Sequence, residues 1–259
     1  STKIYFCSAL FLSPTIRTMI VWPYPLLWAL CFFVISIYFF LNFEKTNNTK
    51  KKIKFAYYNI FFLGLSAYVT PNFAFFSLFF LYNFYLTFKF QKEIFKIILL
   101  NITLATPAIY FLVTKDFYLF NSEVFQIEAS IKYNLSNKVI IISSMLFLFF
   151  LPFISKKNFL KNNKIPIDLN FFIILSFIFI NIYFYNFLHN AGGGIFYHLS
   201  NLLIGNSLFL FLVFFISLYL FRYFDLYNLN NIFLFIVLIF YNLQFTIYYK
   251  YFDPLMFFL

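Results

Sequence analysis

Long apolar segments separated by short polar ones repeat along the whole 259-residue chain. Segments of roughly 18 apolar residues with few charges are typical of helices that cross a lipid bilayer. The pattern therefore predicts an all-α chain, a polytopic transmembrane helix bundle with eight complete spans. These spans are predicted over residues 26–43, 55–69, 73–88, 97–113, 139–154, 171–188, 207–221 and 232–248.

Further apolar segments stand at both ends of the sequence, at residues 4–12 and from residue 255 onward. We interpret them as two truncated spans, so that the chain is expected to be a single transmembrane domain, residues 1–259, from a longer protein. The two spans joined by Thr70-Pro71-Asn72 are short, and we expect them to be tilted or partly re-entrant.

The composition excludes a soluble globular protein. Hydrophobic residues make up 63% of the chain and charged residues only 10%, whereas soluble domains carry about 25% charged residues. The net charge of +11 and the 27% aromatic content would also suit a nucleic-acid-binding protein. The charges lie between the apolar segments, however, which indicates membrane topology instead. We expect membrane lipid as a partner, and no nucleic acid.

The basic residues are concentrated in alternate connections between the predicted spans. Five basic residues are spread over the other polar connections, whereas thirteen lie in the lysine-rich ones, namely Lys45, Lys50, Lys51, Lys52, Lys54, Lys89, Lys92, Lys96, Lys156, Lys157, Lys161, Lys164 and Arg222. Positively charged loops generally stay on the cytoplasmic side of a membrane. We therefore predict an integral, multi-pass protein of a bacterial inner membrane, with its lysine-rich connections in the cytoplasm.

Several polar residues that could carry chemistry fall on the opposite, outer side. Arg17 and Trp22 stand in SPTIRTMIVWPYP, where the arginine could anchor a lipid phosphate or bind a substrate. His189 and His198 flank a triple glycine, which is either a flexible hairpin or a turn whose backbone binds an anion. Two histidines nine residues apart without a nearby acidic or cysteine ligand do not predict a zinc site, so no metal ligand is assigned.

Charged residues supply the remaining candidates. Lys250 and Asp253 are three residues apart, so they could pair with each other at helical spacing. Alternatively, the lysine contacts a phosphate and the aspartate orients a hydroxyl group. The longest outer connection adds three weaker candidates, Asp116, Glu123 and Glu128, in a segment with the pattern of an amphipathic surface helix. These carboxylates could serve as a general base or as ligands of a divalent cation.

Parts of the sequence resemble a known enzyme family. LSPTIRTMIVWPYPLLWALCFFVISIYFFLNFEK, the basic connection after it and LGLSAYVTPNFAFFSLFFLYNFYL resemble the middle of integral-membrane glycosyltransferases of the GT-C type. The closing YYKYFDPLMFFL is similar to an outer segment with a basic residue, an aromatic residue and a proline that precedes a late helix in many of these enzymes. The turn Thr70-Pro71-Asn72 lacks the arginine that is common at this place, so no role is carried over for it.

The resemblance implies transfer of a sugar from a polyprenyl-phosphate donor to an acceptor at the outer face. This chemistry needs a carboxylate base for the acceptor hydroxyl and a cation for the phosphate leaving group, supplied by the protein or by a divalent metal ion. The family usually carries its key acid in the first outer loop, which would precede Ser1, so the catalytic residue stays unknown. Arg17, His198 and Lys250 would then contact phosphate or sugar, and Asp253 a hydroxyl group.

Two other functions remain open. A flippase or transporter of a lipid-linked sugar predicts charged residues deep within the spans. The main polar residues of the predicted spans are instead uncharged: Asn59, Asn101, Asn181 and Gln244. A non-catalytic membrane scaffold predicts outer loops that tolerate substitution, whereas an enzyme should lose activity with alanine at Arg17, Lys250 or Asp253.

Overall fold

The computed structural model of the protein describes residues 25–114, 135–154, 169–187, 192–221 and 228–241, together with Ile247 and Phe252. Within these ranges all regular secondary structure is helical, which confirms the all-α prediction. The chain forms two compact units. The N-terminal unit contains residues 25–114 and 236–241, and the C-terminal unit contains the described residues from 135 to 235 with Ile247 and Phe252.

The N-terminal unit has four α-helices and one short 3-10 helix. They are α1 (Pro25–Lys45), α2 (Thr49–Val69), the 3-10 helix Pro71–Phe75, α3 (Phe76–Phe88) and α4 (Lys92–Thr114). Asn48 begins α2 because its side chain accepts a hydrogen bond from the Lys51 backbone N–H at 3.2 Å. Thr70 ends α2 in an extended conformation, as expected of a residue that precedes proline.

Phenylalanine rings form a large part of the core of the N-terminal unit. Phe33 of α1 packs on Phe73 and Phe76 at centroid distances of 4.7 and 4.8 Å. Further along α1, Phe40 contacts Phe80 at 4.9 Å and Phe43 contacts Phe84 at 4.7 Å. Tilted and edge-on ring pairs at these distances contribute some stabilisation in addition to that from burial of their apolar surface. Many phenylalanine rings therefore pack against one another, while others are exposed on the surface.

The C-terminal unit consists of α5 (Leu135–Ile154), α6 (Leu169–Tyr183), α7 (Gly194–Ile204), α8 (Leu208–Phe221) and residues 229–235 of α9 (Leu229–Tyr241). Helix α5 is buried over most of its length. Phe147 packs on Phe196 of α7 at 5.7 Å, and Phe150 packs on Phe221 of α8 at 6.1 Å. These contacts make α5 the central helix of the unit.

Three of the described helices are long and apolar enough to cross a membrane: Leu26–Lys45, Lys92–Tyr110 and Leu135–Pro152. Shorter apolar helices lie at Phe171–Tyr183, Gly194–Ile204, Leu208–Phe221 and Leu229–Tyr241. Helix α2 covers the predicted span 55–69 and begins at Thr49 because Asn48 caps it there. Helix length and composition thus identify three spans, and the prediction of eight complete spans stays a prediction.

Part of the segment between the predicted spans 171–188 and 207–221 is helical, which the sequence did not predict. Helix α7 occupies residues 194–204, so His198 lies on a helix and not in a flexible hairpin. Phe196, Tyr197 and Ser200 are buried at helical spacing, and packing of this face stabilises the helix. The triple glycine hid this helix in the sequence, since glycine is a poor helix former.

Candidate functional site

Polar side chains meet where α5 begins and where the chain leaves α6. We call Asn137, Lys138, Tyr185 and Asn186 the amide cluster. The Asn137 Nδ2 donates a hydrogen bond to Asn186 Oδ1 at 3.1 Å, and the Asn186 backbone N–H donates one to Asn137 Oδ1 at 3.0 Å. This pair of bonds joins the first turn of α5 to the segment after α6. It also satisfies Asn137, which is only 1% exposed.

Lys138 is the buried cation of the cluster. Its side chain is 1% exposed although it lies in the first turn of α5. Burial of a charge is costly unless other groups compensate it, and the N-terminal end of a helix is itself electropositive. A lysine charge at this place therefore requires a neighbouring group that compensates it. Helix α5 begins four residues before the predicted span 139–154, so Lys138 belongs to its first turn.

A glycine turn leads into α7 and contacts the chain near residue 247. Gly192 and Gly193 have φ values of 84° and 82°, which side chains rarely adopt. The Gly193 backbone N–H donates a hydrogen bond to the Ile247 carbonyl at 3.0 Å. A Cβ atom on Gly193 would lie 2.5 Å from Tyr197 Cδ1. The close approach therefore requires glycine, and it brings residue 247 beside the triple glycine that the sequence singled out.

Aromatic contacts connect the glycine turn with the amide cluster. Phe187, the residue after Asn186, packs edge-on against Tyr197 at 5.0 Å. Tyr197 also contacts the His198 ring at 5.2 Å. His198 is exposed, so its ring is accessible from outside while Tyr197 is buried beneath it. The amide cluster, the glycine turn and His198 thus belong to one continuous part of the C-terminal unit.

Tyr185 and an apolar crevice complete this region. Among the described residues, the buried Tyr185 hydroxyl has no hydrogen-bond partner of normal geometry, although the Ser207 side chain is near enough to interact with it. The Tyr185 ring packs edge-on against Phe211 of α8 at 5.2 Å. Helices α6 and α8 also enclose a crevice with an entirely apolar lining, formed by Phe171, Ile174, Leu175, Ile178, Phe215 and Tyr219.

His198 is the one sequence-predicted site residue that lies within the described part of the chain, and the structure joins it to Tyr197 and the glycine turn. The other candidates lie outside the described residues, namely Arg17, Trp22, His189, Lys250, Asp253, Asp116, Glu123 and Glu128. Their convergence on one site stays a prediction. The described Ile247 lies three residues before Lys250 in sequence and contacts Gly193. This contact is the one observation related to the predicted convergence of the candidates.

Sequence reasoning missed Asn137, Lys138 and Asn186. The available signal was SNKVIII, in which an amide and a lysine immediately precede an uninterrupted apolar run. A loop lysine and a buried lysine look the same in such a pattern, because only the helices packed around it decide its burial. Asn186 gave no signal at all in this asparagine-rich chain.

The described part of the region combines a hydrogen-bonded amide pair, a buried lysine and an exposed histidine. Within the described residues, no three His, Cys, Asp or Glu side chains are grouped so that they could hold a metal ion. A divalent cation, if one takes part, would need carboxylates from elsewhere in the chain. Comparison with known protein families, with curated proteins and with solved structures finds no match for the chain.

Proposed function

We propose that the protein is a membrane glycosyltransferase that moves a sugar from a polyprenyl-phosphate donor to an acceptor at the outer face. The buried Lys138 beside the Asn137–Asn186 pair is the observation that supports this proposal most directly. A lysine in a dry, electropositive position is suited to a phosphate leaving group, because electrostatic stabilisation is strongest where water is excluded. The resemblance to GT-C enzymes supplies the reaction class.

The reaction breaks the bond between the sugar C1 and the phosphate oxygen and forms a bond from C1 to the acceptor oxygen. The electron pair of the broken bond stays on the phosphate, whose negative charge rises, and Lys138 stabilises this charge. The exposed Asn186 side chain contacts a sugar hydroxyl group or a phosphate oxygen, and Asn137 holds Asn186 in place through its two hydrogen bonds. The acceptor proton passes to a carboxylate, for which Asp253, Asp116, Glu123 and Glu128 are the candidates.

The apolar surfaces of α6 and α8 suit a lipid-linked donor in particular, and the crevice between them is too narrow to admit a prenyl unit. A soluble sugar nucleotide needs no apolar surface next to its phosphate, whereas a polyprenyl chain does. The crevice residues Phe171 to Ile178 lie on α6, whose far end leads to Tyr185 and Asn186. A lipid with its phosphate at the amide cluster would therefore place its chain along α6 and α8.

The membrane arrangement belongs to the same proposal. We infer eight complete spans within one transmembrane domain of a bacterial inner membrane, with the lysine-rich connections in the cytoplasm. The amide cluster and the glycine turn would then face outward, where polyprenyl-linked sugars are used. The three long apolar helices support a membrane protein.

The test is sugar transfer by the full-length protein in membrane vesicles. Polyprenyl-phosphate donors with radiolabelled hexoses or pentoses are supplied, and both label transfer and release of free polyprenyl phosphate are measured. Lys138→Met should lower transfer by about a hundredfold, the usual loss for one group that stabilises developing charge. Lys132→Met is the matched control, because it removes the same charge from the preceding outer connection and should leave transfer unchanged.

Transport of a lipid-linked sugar is the second candidate, because Lys138 is a buried charge within an apolar helix, although it lies in the first turn and not deep within it. Wild-type protein that moves a labelled donor across the bilayer, without release of free polyprenyl phosphate, would replace the transferase proposal by this one. Neither transfer nor movement with any donor would favour a scaffold.

A further inference from the structure

The N-terminal unit gathers its lysines at one end. Helices α1 and α2 are antiparallel, since Ser36 contacts Asn59 and Ala29 contacts Ser66. The end of α1 therefore lies beside the start of α2, and Lys52 Nζ lies 5.3 Å from the centre of the Phe43 ring.

The remaining two helices bring their basic ends to the same place. Phe88, at the end of α3, packs against Phe43 at 5.8 Å. Helix α4 runs parallel to α2, because Glu93 interacts with Tyr57 near its start and Leu104 accepts a hydrogen bond from Tyr68 further along. We call the resulting set the lysine surface: Lys45, Lys50, Lys51, Lys52, Lys54, Lys89, Lys92 and Lys96.

The charge of this end is strongly one-sided. Glu44 and Glu93 are the acidic residues among residues 25–114, so eight lysines face two carboxylates. All of these lysines are exposed except Lys52, which is half-buried over Phe43. Clustered lysines repel one another unless an anionic partner neutralises them. The arrangement therefore fits a negatively charged surface.

An exposed aromatic residue projects from the middle of the lysine surface. Phe90 is 78% exposed and stands in the tight turn between α3 and α4. Lys89 adopts φ 50° there, a costly conformation for a residue with a side chain. The turn is fixed by hydrogen bonds from Lys89 N–H to Tyr85 O at 2.7 Å and from Gln91 N–H to Phe88 O at 3.1 Å. The Phe90 ring packs edge-on against Tyr85 at 5.4 Å and keeps most of its surface exposed, in a turn that lies between Lys89 and Lys92 in sequence.

We propose that the lysine surface is a binding site for anionic phospholipid, with Phe90 inserted among the acyl chains beneath the headgroups. An apolar ring surrounded by cations matches the boundary between acyl chains and anionic headgroups. A soluble phosphate compound would use the lysines and leave Phe90 in water, so the exposed ring favours lipid. The lysine surface shares no residue with the amide cluster, and its proposed role does not depend on the transferase proposal.

The experiment compares lipid binding by the full chain in a mild detergent. Radiolabelled phosphatidylglycerol and phosphatidylcholine are titrated separately at low and high salt. The triple variant Lys50→Gln/Lys51→Gln/Lys54→Gln changes exposed residues and keeps the Asn48 cap, so it should fold normally. Each lysine near an anionic surface contributes about fivefold, so phosphatidylglycerol affinity should fall by about a hundredfold at low salt. The loss should shrink at high salt because the charges are screened.

Two further variants separate lipid binding from a general charge effect. Lys156→Gln/Lys157→Gln/Lys161→Gln removes equal charge from another basic segment and should leave phosphatidylglycerol affinity unchanged. Phe90→Ser should lower the affinity about tenfold through lost apolar burial. Equal losses in both triple variants would overturn the proposal. So would displacement of the lipid by glycerol phosphate, or a Phe90→Ser variant that binds as well as the wild type.

Discussion

At the scale of single residues, glycines show most clearly what the fold demands. Gly193 and Gly205 have similar backbone conformations, with φ values of 82° and 73°. Their surroundings differ, because a Cβ on Gly193 would lie 2.5 Å from Tyr197 and 2.9 Å from Phe187, whereas a Cβ on Gly205 would meet nothing within 4 Å. The two positions therefore separate backbone strain from steric overlap.

Alanine at these two positions should destabilise the protein to different extents. Gly205→Ala should cost about 1–2 kcal/mol of unfolding free energy, the penalty of a left-handed conformation. Gly193→Ala adds steric overlap and should cost about 1–3 kcal/mol more. The measurement is unfolding in mixed micelles titrated with sodium dodecyl sulfate. Equal losses for the two variants would show that the glycine turn is not packed against Tyr197 as described.

At the scale of helices, the α1–α2 pair is held by polar groups within an apolar interface. Asn59 Nδ2 donates to the Ser36 carbonyl at 2.9 Å and to Ser36 Oγ at 2.8 Å, while Ser36 Oγ donates to the Asn59 carbonyl at 3.0 Å. Ser66 Oγ donates to the Ala29 carbonyl at 2.8 Å. In apolar surroundings these bonds fix which faces of the two helices meet.

Substitutions at Ser36 and Asn59 should therefore be coupled. In a double-mutant cycle of Ser36→Ala and Asn59→Ala, we expect a coupling free energy of about 0.6–1.7 kcal/mol, as measured for hydrogen bonds between membrane helices. Asn42→Ala is the control, because Asn42 bonds the Tyr38 carbonyl of its own helix at 2.8 Å. A coupling no larger than that between Asn42 and Ser36 would mean that these bonds do not hold the pair together.

A comparison of predicted and observed helices shows which features the sequence pattern could predict. Apolar runs located α1, α4, α5 and α8 to within a few residues, because period and length are local properties. Helix α7 was missed since its stability comes from burial of Phe196, Tyr197 and Ser200 against neighbours. The candidate site shows the same limit. The triple glycine was recognisable, whereas Asn137, Lys138 and Asn186 became a cluster only through the packing of α5 beside the end of α6.

At the scale of the whole molecule, the number of spans depends on α2 and the helices that follow it. Helix α2 has 21 residues, or about 30 Å at 1.5 Å per residue, although it begins with lysines. The 3-10 helix has 5 residues and α3 has 13, which together also extend about 30 Å. Both lengths match the hydrocarbon thickness of a bilayer, about 30 Å, provided that the lysines extend toward the headgroups.

Position 72 distinguishes a crossing pair from a pair that lies on one side of the membrane. If α2 and α3 both cross, Asn72 faces outward, while Asn47 and Asn162 remain in the cytoplasm. In a chain with Cys7→Ser and Cys31→Ser, a maleimide that cannot pass the membrane should label Asn72→Cys in intact cells. Asn47→Cys and Asn162→Cys should react only after the membrane is opened, because the lysines around them stay inside. Labelling of all three positions only after opening would remove α2 and α3 from the spans. It would leave the outward position of the sites that follow unchanged, because two crossings would be removed together.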